Sequence, residues 1–195
     1  QADWGIYFLE TGINWLASYF ENRISNDPNG SIFMNMPNGQ KTEQEIHRDL
    51  NNVSKKILLR HELGHYAIDY SLTRCDTINS NDYHHFRAER QIQGILLDES
   101  ICNANVGRKK LKISNRLPGE PKIGFDLDMN PFCNEFMDSQ PLAYRGYRQF
   151  MTLSYSETCV DALNSIVGVN FNTTDFNEAI RDSSAMSVPL YVVSI

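Results

Sequence analysis

No run of apolar residues in this sequence is long enough to cross a bilayer, so a helical membrane span is not expected. No Cys-x-x-Cys pair occurs among the four cysteines, Cys75, Cys102, Cys133 and Cys159, which disfavours a thiolate zinc site. Basic charge is not in surplus either: 18 Lys and Arg face 24 Asp and Glu, for a net charge of −6. Nucleic-acid binders need basic surfaces to displace counterions, so that class is disfavoured as well. The one basic cluster, Arg108-Lys109-Lys110 with Lys112, reads as a solvated turn. Internal repeats, low-complexity tracts and long linkers are all lacking. What remains is an ordinary globular composition, 41% hydrophobic and 22% charged over 195 residues. That predicts a single domain over residues 1–195 with a real core.

The compartment is only weakly written. An even cysteine count permits two disulfides in an oxidising environment, with three pairings open. Asn52-Val53-Ser54 and Asn172-Thr173-Thr174 match the glycosylation sequon. No signal-peptide pattern stands at the start of the sequence. The resulting expectation is a secreted or otherwise exported protein.

The pattern along the chain predicts an α+β fold dominated by helices. Ile6, Leu9, Ile13, Leu16, Tyr19 and Phe20 recur at helical spacing, so one helix is predicted over Trp4–Arg23. Asn26-Asp27-Pro28-Asn29-Gly30 reads as a turn, followed by a short strand Ser31–Met36 with Ile32, Met34 and Met36 alternating. Pro37-Asn38-Gly39 closes that strand. A capping box at Thr42–Glu45 opens a helix that runs to about Thr73, with a break near Asn51-Asn52. A further helix is predicted over Asp82–Ile101, short strands around Leu111–Ile113 and Ile123–Leu127, and a helix over Ser154–Val167. A second capping box at Asp175–Glu178 and a final strand over Val188–Ile195 complete the reading.

One segment carries chemistry: Leu58-Leu59-Arg60-His61-Glu62-Leu63-Gly64-His65-Tyr66-Ala67. Two histidines four apart lie on one helix face, about one turn separated. That spacing lets both imidazoles reach one metal ion at roughly 2.0–2.1 Å. Glu62 projects about 100° around the helix from His61, where it meets water rather than the metal. A zinc ion draws the pKa of a water toward about 7 and polarises a carbonyl. Glu62 then takes the water's proton and passes it to the leaving nitrogen. Leu59, Leu63, Tyr66 and Tyr70 form an apolar stripe, and Leu58 and Ile68 widen it, so the helix is expected to be buried. Histidines and a glutamate in such a helix need compensation, which a metal supplies.

His61-Glu62-Leu63-Gly64-His65 is similar to the signature of the zincin metallopeptidases. The resemblance covers about ten residues and is specific at superfamily level only. It implies Zn2+ as cofactor, a peptide or protein substrate, and a mainly helical domain with a small sheet and a buried active-site helix. In zincins an edge strand that binds extended substrate precedes that helix; the predicted strand Ser31–Met36 before a helix Ser54–Thr73 suits the order. Metzincins carry Gly three and His six residues after the second histidine, where this chain has Ile68 and Ser71. Gluzincins take a glutamate from a later helix, often with an aspartate four residues on that orients the first histidine. Ser156-Glu157-Thr158-Cys159-Val160-Asp161-Ala162 resembles that helix, which implies Glu157 as third ligand and Asp161 as its supporting carboxylate. Glu89, flanked by Arg87 and Arg90, and Glu99, beside Asp98, are the alternatives.

Electrophilic help for a tetrahedral intermediate is expected from a Tyr, His or Arg near the metal. Tyr155 is the first candidate; Tyr144, Tyr147, Arg145, Arg148 and His84-His85 are the others. Asp126-Leu127-Asp128-Met129-Asn130 alternates oxygens as calcium loops do, but lacks the glycine and glutamate of such loops and reads as a solvated turn. The expected function is zinc-dependent hydrolysis of a peptide bond. The alternative is a non-catalytic zinc-binding interaction or structural protein on a zincin-like scaffold. No nucleic-acid or membrane partner is expected, and the oligomeric state is left open.

Overall fold

Helix formation in this chain follows its apolar repeats, and a computed structural model describes residues 6–35, 41–79, 97–116, 126–167, 172–185 and 190–193. The elements are β1 (Ile6–Leu9), α1 (Glu10–Asn26), α2 (Pro28–Asn35), α3 (Glu43–Asn79), α4 (Leu97–Gly107), β2 (Lys112–Ser114) and β3 (Asp126–Asp128). They continue with α5 (Asn130–Ser139), a 3-10 helix over Leu142–Phe150, α6 (Tyr155–Val167), α7 (Thr173–Ala185) and β4 (Leu190–Val193). The fold is α+β and mainly helical. Among the described residues the strands form two small sheets, one pairing β1 with β4 in parallel and one pairing β2 with β3 antiparallel. No helix among the described residues is long and apolar enough to cross a membrane.

Contacts divide the chain into two compact units. One comprises Gln1–Leu59, Lys109–Phe136 and Val188–Ile195; the other comprises Arg60–Arg108 and Met137–Ser187. In the first unit, α1 buries Ile13, Leu16, Ala17, Phe20 and Ile24, a stripe at three- and four-residue intervals. The early part of α3 buries Ile46, Leu50, Val53 and Ile57 in the same rhythm. Each such side chain contributes about 1.5–3 kcal/mol by leaving water. Gly30 is a steric requirement here, since a Cβ on it would stand 2.2 Å from the Ile24 carbonyl oxygen. In the second unit, α4 packs along the 3-10 helix and α6 along α7. Tyr147, Phe150, Tyr155, Cys159, Leu163 and Phe176 are buried there.

Several sequence expectations are corrected. The predicted helix Trp4–Arg23 begins as strand β1, because Ile6–Leu9 pairs with Leu190–Val193 from the other end of the chain. A four-residue apolar run suits strand and helix equally, and only that distant partner decides it. Over Ser31–Asn35 the predicted strand Ser31–Met36 is helix α2, Met36 lying outside the described residues. Asp27 caps it, its Oδ1 accepting from the backbone N–H of Asn29 at 2.9 Å and Gly30 at 3.0 Å, with Pro28 opening the helix. The supposed turn was therefore a helix start, and this segment supplies no substrate-binding edge strand. The break predicted at Asn51-Asn52 is absent, since α3 is continuous from Glu43 to Asn79. Burial of Leu50 and Val53 on either side outweighs the weak helix propensity of two asparagines.

The capping box at Thr42 is present. Glu45 accepts from the Thr42 backbone N–H at 2.7 Å, and the Thr42 hydroxyl accepts from the Glu45 N–H at 3.3 Å. The second box lies one turn earlier than predicted. Asn172 Oδ1 accepts from the Asp175 N–H at 2.9 Å, and its amide donates to Asp175 at 2.7 Å, so α7 opens at Thr173. The Asp126–Asn130 segment is strand and helix start rather than a solvated turn. Asp126 pairs with Lys112 at 2.6 Å, and Asn130 Oδ1 accepts from the Leu111 N–H at 2.8 Å. Pro37–Gly39, His84-His85, Glu89 and most of the predicted Asp82–Ile101 helix lie outside the described residues.

Two disulfides are not formed: Cys102, Cys133 and Cys159 are buried thiols. Burial pushes Cys102 up to about 11 and Cys159 up to about 12. At pH 8 the folded protein is therefore expected to alkylate about 100-fold more slowly than the unfolded chain at Cys102, and more slowly still at Cys159, since the thiolate is the nucleophile. Peptide mapping after timed iodoacetamide treatment measures this; equal rates would mean that the core is open.

Candidate metal centre

The middle of α3 presents the two histidines, and its small residues decide what approaches them. Gly64, Ala67, Ile68 and Ser71 form the buried face beyond His61. Leu59, Leu63 and Tyr66 are half-buried and Tyr70 is exposed, so the bulky stripe expected to lie inside does not. The physical reason is close approach. A Cβ on Gly64 would stand 2.8 Å from Cys102 Sγ and 3.2 Å from Cys102 Cα, so only glycine lets α4 lie this near. Three residues before Gly64 stands His61, and three before Cys102 stands Glu99. The glycine contact thus sets the distance between histidine and glutamate.

Helix α4 is buried on every side. All of its residues from Leu97 to Gly107 are buried except Glu99, which is half-buried. Its polar side chains are engaged: Asn103 donates to the Tyr144 carbonyl at 3.2 Å and Asn105 to the Arg60 carbonyl at 3.3 Å. Asp98 Oδ2 lies 3.4 Å from His65 Nδ1.

The two Nε2 atoms of His61 and His65 stand 3.1 Å apart. Glu99 spans both, with Oε2 2.9 Å from His61 Nε2 and Oε1 3.5 Å from His65 Nε2. Two nitrogens and a carboxylate oxygen thus fall within 4.8 Å of one another, the one such group of His, Cys, Asp and Glu among the described residues. Ligand atoms around a tetrahedral zinc at roughly 2.0–2.1 Å are about 3.3 Å apart. The three separations, two of them to different oxygens of the one carboxylate, lie close to that length, and the donor set of two imidazoles and one carboxylate suits zinc. The residues therefore fit the metal that the motif implies.

The same contacts set the charges of the metal-free site. Burial pulls the His65 pKa down, but bonds to Asp98, Cys102 and Glu99 outweigh it and hold the ring at about 12. Burial pushes Glu99 up, but bonds to His61 and His65 prevail and hold it at about 2. A depressed carboxylate contributes stability that is fully present above its ordinary value of 4.5 and lost as pH falls through its folded value. With metal chelated, the gap in urea midpoint between the native chain and Glu99→Gln is expected to be constant above pH 4.5. It should close as pH falls toward 2. A gap that widens on acidification would contradict this charge state.

Other predicted site residues are placed elsewhere. Glu157 and Asp161 are exposed on α6 and do not join the group of three donors. Tyr155 is 2% exposed and its hydroxyl donates to the Ile101 carbonyl at 3.1 Å, so it is a core residue and faces no substrate. Tyr147 is fully buried, its hydroxyl donating to Asp138, which also pairs with Arg148. Arg145 donates to the Gln140 carbonyl at 2.5 Å, and Tyr144 serves α4 through its backbone. Glu62, next to His61, is half-buried.

On sequence alone Glu99 stands behind Glu157 and Glu89 as third ligand. The available signal was the composition of α4, in which Asp98-Glu99 are the only charges in an otherwise small, uncharged stretch. Comparison with known protein families, curated proteins and solved structures gives no match.

Proposed function

We propose that this chain is a zinc-dependent peptide-bond hydrolase whose metal ligands are His61, His65 and Glu99. One observation carries the reading: the paired Nε2 atoms, 3.1 Å apart, both face the Glu99 carboxylate at 2.9 and 3.5 Å. When bound, zinc supplies Lewis acidity to a water and to the carbonyl of the scissile bond. Glu62 follows the first ligand on the same helix and serves as the base. It takes the proton of the attacking water and delivers it to the departing amine nitrogen. A purely structural centre has no use for a carboxylate at that place. Tyr155 has no part in this reading. Export is retained only as a proposal from the sequons, and a peptide or protein is the substrate class.

The experiment is zinc analysis with cleavage of a broad peptide library, comparing the native chain and Glu62→Gln. The substitution is expected to leave stoichiometric zinc in place and reduce turnover by at least about 100-fold, within the range assigned to general acid–base catalysis. Equal turnover would remove Glu62 from the chemistry. Zinc without cleavage in the native chain would favour the non-catalytic scaffold.

A further inference from the structure

We propose that Asp98 is the positioning residue of this centre: its carboxylate takes the Nδ1–H of His65 and so turns Nε2 toward the ion. The inference rests on the reading of His61, His65 and Glu99 as ligands. Asp98 is 5% exposed and its Oδ2 lies 3.4 Å from His65 Nδ1, on the opposite side of the ring from Glu99 and His61. An imidazole that donates from Nδ1 to a carboxylate is fixed in the tautomer whose Nε2 carries the lone pair. It is also a stronger base. Adjacent residues on α4 thus do two jobs: Glu99 supplies a ligand, and Asp98 orients the ring of another.

Two further observations favour this role over a merely structural one. The position four residues after Glu99 is Asn103, whose amide is spent on the Tyr144 carbonyl. Asp98 is then the only other acid on α4. A carboxylate this buried is costly unless its charge is met. With neutral imidazoles, the charges of Asp98 and Glu99 together equal and oppose those of one divalent cation. An amide at position 98 would accept the same proton but leave that cation under-compensated.

The test uses the full chain, stripped by chelation and titrated with zinc against a chromophoric competitor. Asp98→Asn is expected to weaken zinc binding about 10–100-fold, as loss of such a partner does elsewhere. Its far-UV circular dichroism should stay unchanged, and Asp98→Glu should recover part of the loss. A second measurement needs no variant. In native chain carrying 15N-histidine and loaded with 113Cd, the His65 resonances are identified by their loss in His65→Gln. Coupling to cadmium is expected at Nε2 of His65, with a slowly exchanging proton on Nδ1. Asp98→Asn binding as tightly as the native chain, or cadmium coupled to Nδ1, would overturn the inference while leaving the three ligands intact. Native chain that takes up neither metal would instead overturn the ligand reading on which it rests. If Asp98→Asn fails to fold, the cadmium spectrum of the native chain decides.

Discussion

Replacing Glu99 with alanine is expected to weaken zinc binding by at least about 100-fold, whereas Glu157→Ala leaves it unchanged. The lower bound comes from the cost of losing an outer partner, which reaches about 100-fold; a residue that touches the ion costs more. Glu99 is placed to touch it, with one oxygen 2.9 Å from His61 Nε2 and the other 3.5 Å from His65 Nε2. Glu157 is exposed on α6 and outside the donor group. Folding should survive both changes, since each removes a side chain that is not fully buried. Competition titration with a zinc chelator reads the effect. Loss of binding in Glu157→Ala with retention in Glu99→Ala would transfer the third ligand to α6 and end the reading built on α4.

For zinc binding, Gly64 is expected to be the least replaceable residue of the motif after the histidines. Alanine is favoured over glycine in a helix by about 1 kcal/mol, so a free helix would gain from the change. Here the new methyl would meet Cys102 Sγ at 2.8 Å and Cys102 Cα and Cβ at 3.2 Å. Overpacking of this kind costs about 1–3 kcal/mol, which cancels or exceeds the propensity gain. Relief comes only by moving α4 away from α3, and Glu99 moves with it. Gly64→Ala is therefore expected to weaken zinc binding even where the melting temperature falls by only a few degrees. Gly64→Val should abolish it. Adding Cys102→Ala to Gly64→Ala removes the closest contact and should recover part of both losses, with a coupling of about 0.5 kcal/mol or more between neighbours. Unchanged zinc affinity in Gly64→Ala would show that the helix spacing does not govern the site.

Local chemistry was legible wherever a residue's partner lies within a turn or two of the chain. The spacing of His61 and His65 places both rings on one face by helical geometry alone. Thr42 and Glu45 cap α3 by a bond between residues three apart, and the buried stripe of α1 follows from its repeat. The helix start at Asp27-Pro28 is equally local, although Asn29 and Gly30 after it give the segment the pattern of a turn.

Local pattern by itself determined the paired imidazoles, the neighbouring glutamate and a mainly helical fold, because those depend on spacing along one backbone. Tertiary structure alone decided the rest. Ile6–Leu9 became a strand because Leu190–Val193 lies beside it. Tyr155 became a core residue because the Ile101 carbonyl takes its hydroxyl. The proposal of Glu99 over Glu157 has the same origin. Every glutamate carries the same carboxylate, and which one meets a metal depends on which helix can come close. At Gly64 the missing side chain lets Cys102 pack close, and Glu99 lies beside the two rings.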